Sequence, residues 1–326
     1  MIAGIILYCA AGLVFTISST DAPNETTHSE KLITIRHERT DDRIRLFSGD
    51  TEIAQYVFRD PQVSRPYFAH IKTLSGIQVS RNHPPDPALD ATDHVGLHAG
   101  IWLSFGDISG HDFWRLKAKT EHVRFVEEPA ESEGTVRFSV INRYLTSDGT
   151  AIVCEETQTC VIRPAEAGYR LEVRSEFRGL ELPVVFGDQE EMGLGIRVAT
   201  PIAVQSGKGG RILDSEQRRN GDQVWGKTAN WCDYAGPFAD RWVGMTVMSS
   251  PSNFRPSWSH ARDYGFIAVN PFGRKAFTQG EPSAVRIQKG EVLRLRFAVQ
   301  VHESLKEADY HPDAAYRDFA DEGEGK

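Results

Sequence analysis

Five of the eleven histidines, His70, His83, His94, His98 and His111, fall between positions 70 and 111. Four of them sit in one segment that runs from Arg81-Asn82-His83-Pro84-Pro85-Asp86 through Thr92-Asp93-His94-Val95-Gly96-Leu97-His98-Ala99-Gly100-Ile101-Trp102 to Gly110-His111-Asp112-Phe113-Trp114. Neutral imidazole nitrogens in such a cluster are ligands for a divalent metal, or general acids and bases near neutral pH. The plainer reading is that individual rings hydrogen-bond the backbone of their own loop. Prolines, glycines and acids surround short apolar pieces, so the segment reads mostly as loop, the place where function concentrates on a rigid scaffold.

Two further segments carry chemistry. In Phe186-Gly187-Asp188-Gln189-Glu190-Glu191-Met192-Gly193-Leu194-Gly195-Ile196-Arg197-Val198, three carboxylates precede an alternating strand. A carboxylate entering a histidine pocket supplies a metal ligand or an acid–base partner with a separated pKa; a solvated turn is the alternative. In Trp258-Ser259-His260-Ala261-Arg262-Asp263-Tyr264-Gly265-Phe266-Ile267-Ala268-Val269-Asn270-Pro271-Phe272-Gly273, aromatic, His, Arg and Asp side chains crowd before an apolar strand. Aromatic faces and planar polar groups suit a sugar ring, which stacks its C–H face and hydrogen-bonds its hydroxyls. A structural Arg–Asp pair among core aromatics is the competing reading. Trp225 to Tyr234 has similar character with fewer ionisable groups. There is no G-x-S-x-G elbow, Walker A loop, H-E-x-x-H or C-x-x-C pair.

The elements that position these segments follow a period of two. Val136, Phe138 and Val140 alternate with polar residues, as do Leu171, Val173 and Phe177, and Leu293, Leu295, Phe297, Val299 and Val301. Such strands have one buried and one polar face, as in antiparallel sheets. Turn signals recur at Ser147-Asp148-Gly149, Gly207-Lys208-Gly209-Gly210, Asn220-Gly221-Asp222 and Gln288-Lys289-Gly290. Helical periodicity is scarce, and the best helix lies at roughly 313–320, ahead of a frayed tail from 321 to 326. Some fifteen or more short strands predict an all-β fold, one large antiparallel β-supersandwich over 31–320 with few short helices.

The chain has 326 residues, 40% of them hydrophobic and 25% charged, which excludes collagen-like and fully disordered chains. Its 37 basic against 45 acidic residues give a net charge of −8, opposite to the sign that phosphate neutralisation needs, so a nucleic-acid partner is not expected. Residues 1–20 carry no charged side chain, and the apolar run from Ile5 to Phe15 has the length of a signal-peptide core, short of the ~20 residues of a spanning helix. Cleavage before Asp21 leaves a flexible start over 21–30 and an exported protein, periplasmic or extracellular; a retained N-terminal anchor is the alternative. Asn24-Glu25-Thr26 matches a glycosylation sequon. Of the cysteines remaining after residue 20, Cys154 and Cys160 share one apparent strand. Six residues of extended chain separate them by roughly 20 Å, beyond the ~7 Å reach of a disulfide. With Cys232 they read best as buried thiols.

Taken in order, RPYF at Arg65, RNHPP at Arg81, DHVGLHAGIW at Asp93, GDISGHDFW at Gly106, FGDQEEMGLGIRVA at Phe186, WGKTANWCDYAG at Trp225 and RDYGFIAVNPFG at Arg262 resemble a family of uncharacterised exported bacterial proteins, many labelled "methane oxygenase PmoA". The resemblance spans about residues 30 to 320. Many relatives carry adjacent histidines after Asp-His, where this chain has Gly96-Leu97-His98. The label itself is physically incompatible with the sequence. A membrane methane monooxygenase subunit needs several spanning helices, and the chain offers at most one apolar stretch, at its N-terminus. The resemblance implies instead a supersandwich similar to galactose mutarotase, in which a concave sheet face holds a sugar and His and Glu side chains act on it.

These readings converge on a carbohydrate-active protein with a small-molecule or oligosaccharide substrate. His83, His94, His98, Glu191 and His260 are the expected catalytic groups, one His as general base and a carboxylate or second His as acid. Arg81, Trp102, Arg262, Asp263 and Asn270 are the expected substrate-binding groups. The sequence commits to no cofactor and leaves a divalent metal open; in a metal-assisted version His83, His94, His98 and Glu191 are the ligands of that ion. Ring opening, glycosidic hydrolysis and elimination all remain open. The other reading is a non-catalytic carbohydrate-binding or structural sandwich whose histidines brace loops.

Overall fold

Among the described residues, the alternation seen in the sequence becomes eighteen strands and three short α-helices. The computed structural model describes residues 33–322 together with Met1 and Gly4. The expected signal peptide and flexible start, the Asn24 sequon, Cys9 and residues 323–326 lie outside the described residues. The first half of the chain contributes β1 (Ile35–Arg39), β2 (Arg43–Ser48), β3 (Thr51–Val57), β4 (Tyr67–Ala69), β5 (Ile101–Phe105), β6 (Thr120–Ser132), β7 (Thr135–Leu145), β8 (Ile152–Ala165) and β9 (Gly168–Arg178). The second half contributes β10 (Val184–Phe186), β11 (Met192–Arg197), β12 (Arg211–Asp214), β13 (Trp231–Phe238), β14 (Arg241–Ser249), β15 (Trp258–Arg262), β16 (Phe266–Asn270), β17 (Val285–Ile287) and β18 (Val292–Ser304). The helices are α1 (Asn220–Val224), α2 (Arg274–Thr278) and α3 (Pro312–Asp321).

Two eight-stranded sheets form a sandwich. Sheet one has the order β1-β2-β3-β4-β5-β11-β16-β15 and sheet two the order β12-β13-β14-β18-β9-β8-β7-β6, while β10 and β17 form a separate ribbon. All strand pairings in the two sheets are antiparallel. The fold is therefore the all-β antiparallel sandwich that the period of two predicts. One core fills the space between the sheets. Ile101, Leu103, Phe105, Leu194, Ile196, Ile267 and Val269 of sheet one meet Phe138, Val140, Leu171, Val173, Met245, Phe297 and Val299 of sheet two in it. Cys154, Cys160 and Cys232 are buried free thiols.

Several strands depart from simple alternation, and β11 and β18 show the reason. All six residues of β11 are buried, and so is nearly all of β18 from Leu295 to His302. Both faces of these strands are covered. Outside sheet one, Trp102, Trp114 and Phe266 form a second apolar layer. Outside sheet two, Trp231, Met248 and Ala298 pack against Ala315 and Phe319 of α3. Helix α3 runs to Asp321, past the expected start of a frayed tail, because Arg170 donates two hydrogen bonds, 2.8 and 2.7 Å, to the Glu322 carboxylate. Among the described residues no helix is long and apolar enough to cross a membrane.

Candidate functional site

The outer face of sheet one is built from every second residue of four neighbouring strands. Register places Trp102 opposite Gly195, Gly195 opposite Ala268, and Ala268 opposite His260. The two small residues in the middle of that row leave room above the sheet for large side chains. A Cβ on Gly195 would lie 2.8 Å from the Trp102 indole and 3.0 Å from Trp114, so the site depends on glycine there. Trp102 in turn supports His98, whose ring stacks 5.0 Å away at 23°, and Phe266 supports the same imidazole at 4.7 Å.

The loop that carries the histidines is tied down from beneath. Arg81 is 0% exposed, and its guanidinium donates to the carbonyls of Ala91, Asp93, His94 and His98. Arg65 donates to Trp114 O and Leu97 O. These bonds hold His94 in the left-handed region, φ 49°, which a residue with a side chain occupies only when its surroundings enforce it. Arg197 clamps the Asp93 carboxylate with two bonds of 2.9 and 2.7 Å. Burial alone would raise the Asp93 pKa, but Arg197, His94 and Arg81 together hold it well below the usual carboxylate range. The other oxygen function of Asp93 is to fix His94. Its Oδ2 accepts from His94 Nδ1 at 2.6 Å, which leaves Nε2 as the free ring nitrogen. The His94 and His98 rings lie parallel, 4.6 Å apart at 7°.

Arg197 also donates to His98 Nδ1 at 3.3 Å, so that nitrogen is the acceptor and the proton of the neutral ring sits on Nε2. Burial, with the Arg197 charge added, pushes the His98 pKa well below its ordinary value. His98 is therefore a neutral donor, poorly suited to be a base.

His94, Leu97, His98, Trp114, Arg115, Glu191, His260, Tyr264 and Phe266 line a cavity of about 150 Å³. Glu191 is paired with Arg115 at 2.5 Å, and Arg115 also reaches Asp112 at 3.1 Å and Gln189 at 3.3 Å. Desolvation would lower the Arg115 pKa, but the Glu191 and Asp112 carboxylates raise it, so the guanidinium stays charged. His260 Nδ1 donates to Glu190 O at 3.3 Å, and Nε2 lies 3.5 Å from Glu190 Oε2. Burial, with the Arg262 and Arg115 charges added, outweighs the hydrogen bond to Glu190 O and drives the His260 pKa down to about 3, so the ring is neutral.

Of the residues singled out in the sequence, the structure brings His94, His98, Glu191 and His260 to one cavity. His83 does not join them. It packs edge-on against Tyr67 at 5.2 Å, and burial lowers its pKa to about 4. Four of the five expected binding residues have structural work instead. Arg81 is fully buried under the loop, and Trp102 is covered by His98 and Trp114. Asn270 Nδ2 donates to the carbonyls of Gln189 and Glu190 and so fixes the approach to Glu191. Asp263 accepts from Gly221 N at 2.8 Å, where α1 meets the sheet. Arg262 stays near the site, 3.3 Å from Glu190. Sequence reasoning missed Asp93, Arg115, Arg197 and Tyr264 as site residues. Asp93 and Arg197 were visible only as motif letters, and the Asp112–Arg115 spacing of three was the one available signal for Arg115. Among the described residues no three His, Cys, Asp or Glu side chains are placed to share a metal ion. The expected ligand set is not assembled, because His83 is elsewhere, Glu191 is held by Arg115, and both Nδ1 atoms of the parallel His94–His98 pair already have partners.

Fold and site together define a large antiparallel β-sandwich with a histidine–carboxylate cavity on the outer face of one sheet. By sequence the chain belongs to the family described as "Family of unknown function (DUF6807)", whose model matches residues 43–314. No curated protein sequence matches the chain. Similar solved structures include a galactose mutarotase-like protein from Lactobacillus casei, 12% identical, covering 82% of this chain and 100% of that one with a TM-score of 0.40. Another galactose mutarotase-like protein, from Clostridium acetobutylicum, is 11% identical over 84% and 99% of the two chains, TM-score 0.42. The GH36 α-galactosidase of Geobacillus stearothermophilus is 12% identical over 83% of this chain and 40% of its own, TM-score 0.33. At that distance the chemistry of those proteins does not transfer to this one.

Proposed function

We propose that this is an exported carbohydrate-active enzyme that performs proton-transfer chemistry on a neutral sugar ring in the His94–Glu191 cavity. The observation that carries this reading is the Asp93–His94 pair. A carboxylate clamped by a buried arginine orients the imidazole at 2.6 Å and leaves Nε2 free at the wall of a cavity that also holds a second carboxylate. An oriented imidazole of this kind is a general base or acid, worth about 10²–10⁴ in rate.

The size and charge of the cavity support the substrate class. A cavity of about 150 Å³ is the scale that accepts one six-membered ring. The charged groups that line it cancel, since Arg115 is paired with Glu191. Such a site does not select a phosphate or carboxylate, but its paired donors and acceptors match vicinal hydroxyls. His94 moves the proton, Glu191 and Arg115 hold hydroxyls, His98 Nε2 donates, and Tyr264 offers an aromatic face. Ring opening, glycosidic hydrolysis and elimination each use a proton transfer at this position.

The test is proton NMR of neutral mono- and disaccharides incubated with the purified protein and with His94→Ala. Turnover by the wild type that the variant loses supports the reading. Equal turnover by both proteins removes His94 from the chemistry. Sugars that bind the wild type and stay unchanged through long incubation overturn catalysis in favour of a binding protein.

A further inference from the structure

A second cavity, of about 520 Å³, shares two of its walls with the first. Both are lined by His94 and Tyr264, so the two spaces meet at those rings. The outer one is larger by more than a factor of three, and its remaining surface comes from Ala91, Thr200, Ala203 and Gln205, with Ser206 and Asp93. No Lys or Arg side chain lines it, and its one carboxylate, Asp93, is neutralised by Arg197 and contacted by Arg81. An ionised occupant would lose hydration with no counter-charge in return. Small apolar side chains and the Tyr264 ring present an apolar wall, and Gln205 adds an amide at the exposed side.

We propose that the outer cavity is a subsite for a second neutral ring, so that the natural ligand is a two-ring glycoside whose linkage lies beside His94. This inference rests on the sugar-ring reading of the inner cavity and names the part of the substrate that reading leaves open. The second ring is uncharged with an apolar face, either another sugar or an aryl aglycone. The geometry explains why the histidine fixed by Asp93 is the one at the divide. It touches both spaces, whereas His98, Glu191 and His260 line only the inner one.

The experiment is calorimetric titration of the full chain with glucose and galactose, with cellobiose and lactose, with 4-nitrophenyl β-glucoside, and with a disaccharide whose second ring is a uronate. The neutral two-ring ligands are expected to bind about tenfold or more tighter than their parent monosaccharides, which is about 1.4 kcal/mol. The uronate ligand should gain nothing. A preference for cellobiose over the aryl glucoside identifies a sugar in the outer cavity, and the reverse identifies an aryl group. Gln205→Trp, which fills that cavity from its exposed side, and Ala91→Phe, which fills it from the loop, should each abolish the tenfold gain while leaving monosaccharide affinity within about twofold. Monosaccharide binding with no gain from a second ring overturns the subsite and leaves the inner-cavity reading standing. So does a gain that both variants retain. Failure of every sugar to bind overturns the inner-cavity reading itself.

Discussion

The two outer faces of the sandwich carry nearly the same residues and do different work with them. On sheet one, Asp93 holds His94 at 2.6 Å, Arg197 holds Asp93, and the imidazole stacks on a second aromatic ring 4.6 Å away at 7°. On sheet two, Asp233 holds His302 at 2.9 Å, Arg211 holds Asp233 at 3.1 Å, and His302 stacks on Tyr310 at 3.7 Å and 7°. The difference is the cover. His302 and Asp233 are 0% exposed beneath Tyr310 and the C-terminal segment, whereas the His94 side chain is 42% exposed at a cavity. The same carboxylate–imidazole–arginine set therefore stabilises one face and is available for chemistry on the other. Residue type does not separate the two; solvent access does.

Mutations at equivalent positions should separate them. The largest effect is expected from His94→Ala, which should lower turnover by about 10²–10⁴ with the melting temperature nearly unchanged, because the side chain is half in solvent. Steady-state kinetics beside a thermal melt reads both quantities. A large loss of stability instead would make His94 structural and erase the contrast between the faces. Asp233→Ala should do the opposite. It leaves His302 and Arg211 without their shared carboxylate in a buried setting, at a cost of about 3–5 kcal/mol. Urea denaturation measures that cost, and sugar affinity of the folded fraction should not move. Destabilisation below about 1 kcal/mol would mean that water reaches the second face as readily as the first.

The strands were legible because a half-buried strand writes its burial into alternate residues, as Val136, Phe138 and Val140 do. Alternation fails as a guide where both faces are covered, and β11 and β18 are such strands. Of the candidate site, the loop from His83 to His98 was legible from residue type, but the roles within it were not. Arg81 looked like a ligand-binding arginine, yet it is spent on four loop carbonyls. Trp102 looked like a stacking platform, although its alternation with core residues Ile101 and Leu103 already placed it flat against the outer face, where His98 then covers it. Arg115 and Tyr264 reach the cavity from loops whose paths only tertiary packing sets.

A third substitution tests whether the platform beneath His98 matters. Gly195→Ala puts a methyl group 2.8 Å from the Trp102 indole, and overpacking of that kind costs about 1–3 kcal/mol. Because Trp102 supports His98, sugar affinity should fall along with stability. Sugar titrations beside a urea denaturation read the two losses of this variant separately. Unchanged affinity in a destabilised Gly195→Ala protein would detach the platform from the site.

The smallest effect is a proton count. Burial holds the native His260 pKa at about 3 against an ordinary 6.5, so between those values the unfolded chain binds a proton that the folded chain does not. The folded state's share of stability from this residue is complete above pH 6.5 and is lost as pH falls toward 3. His98, shifted in the same direction by burial and by Arg197, adds to the same slope. Urea midpoints at pH 7 and pH 5 should therefore show wild-type stability dropping on acidification. His260→Gln should flatten that drop by up to one proton, about 1.4 kcal/mol per pH unit. If the variant keeps the full wild-type slope, His260 titrates normally, and the cavity must then admit enough water to solvate a charged ring.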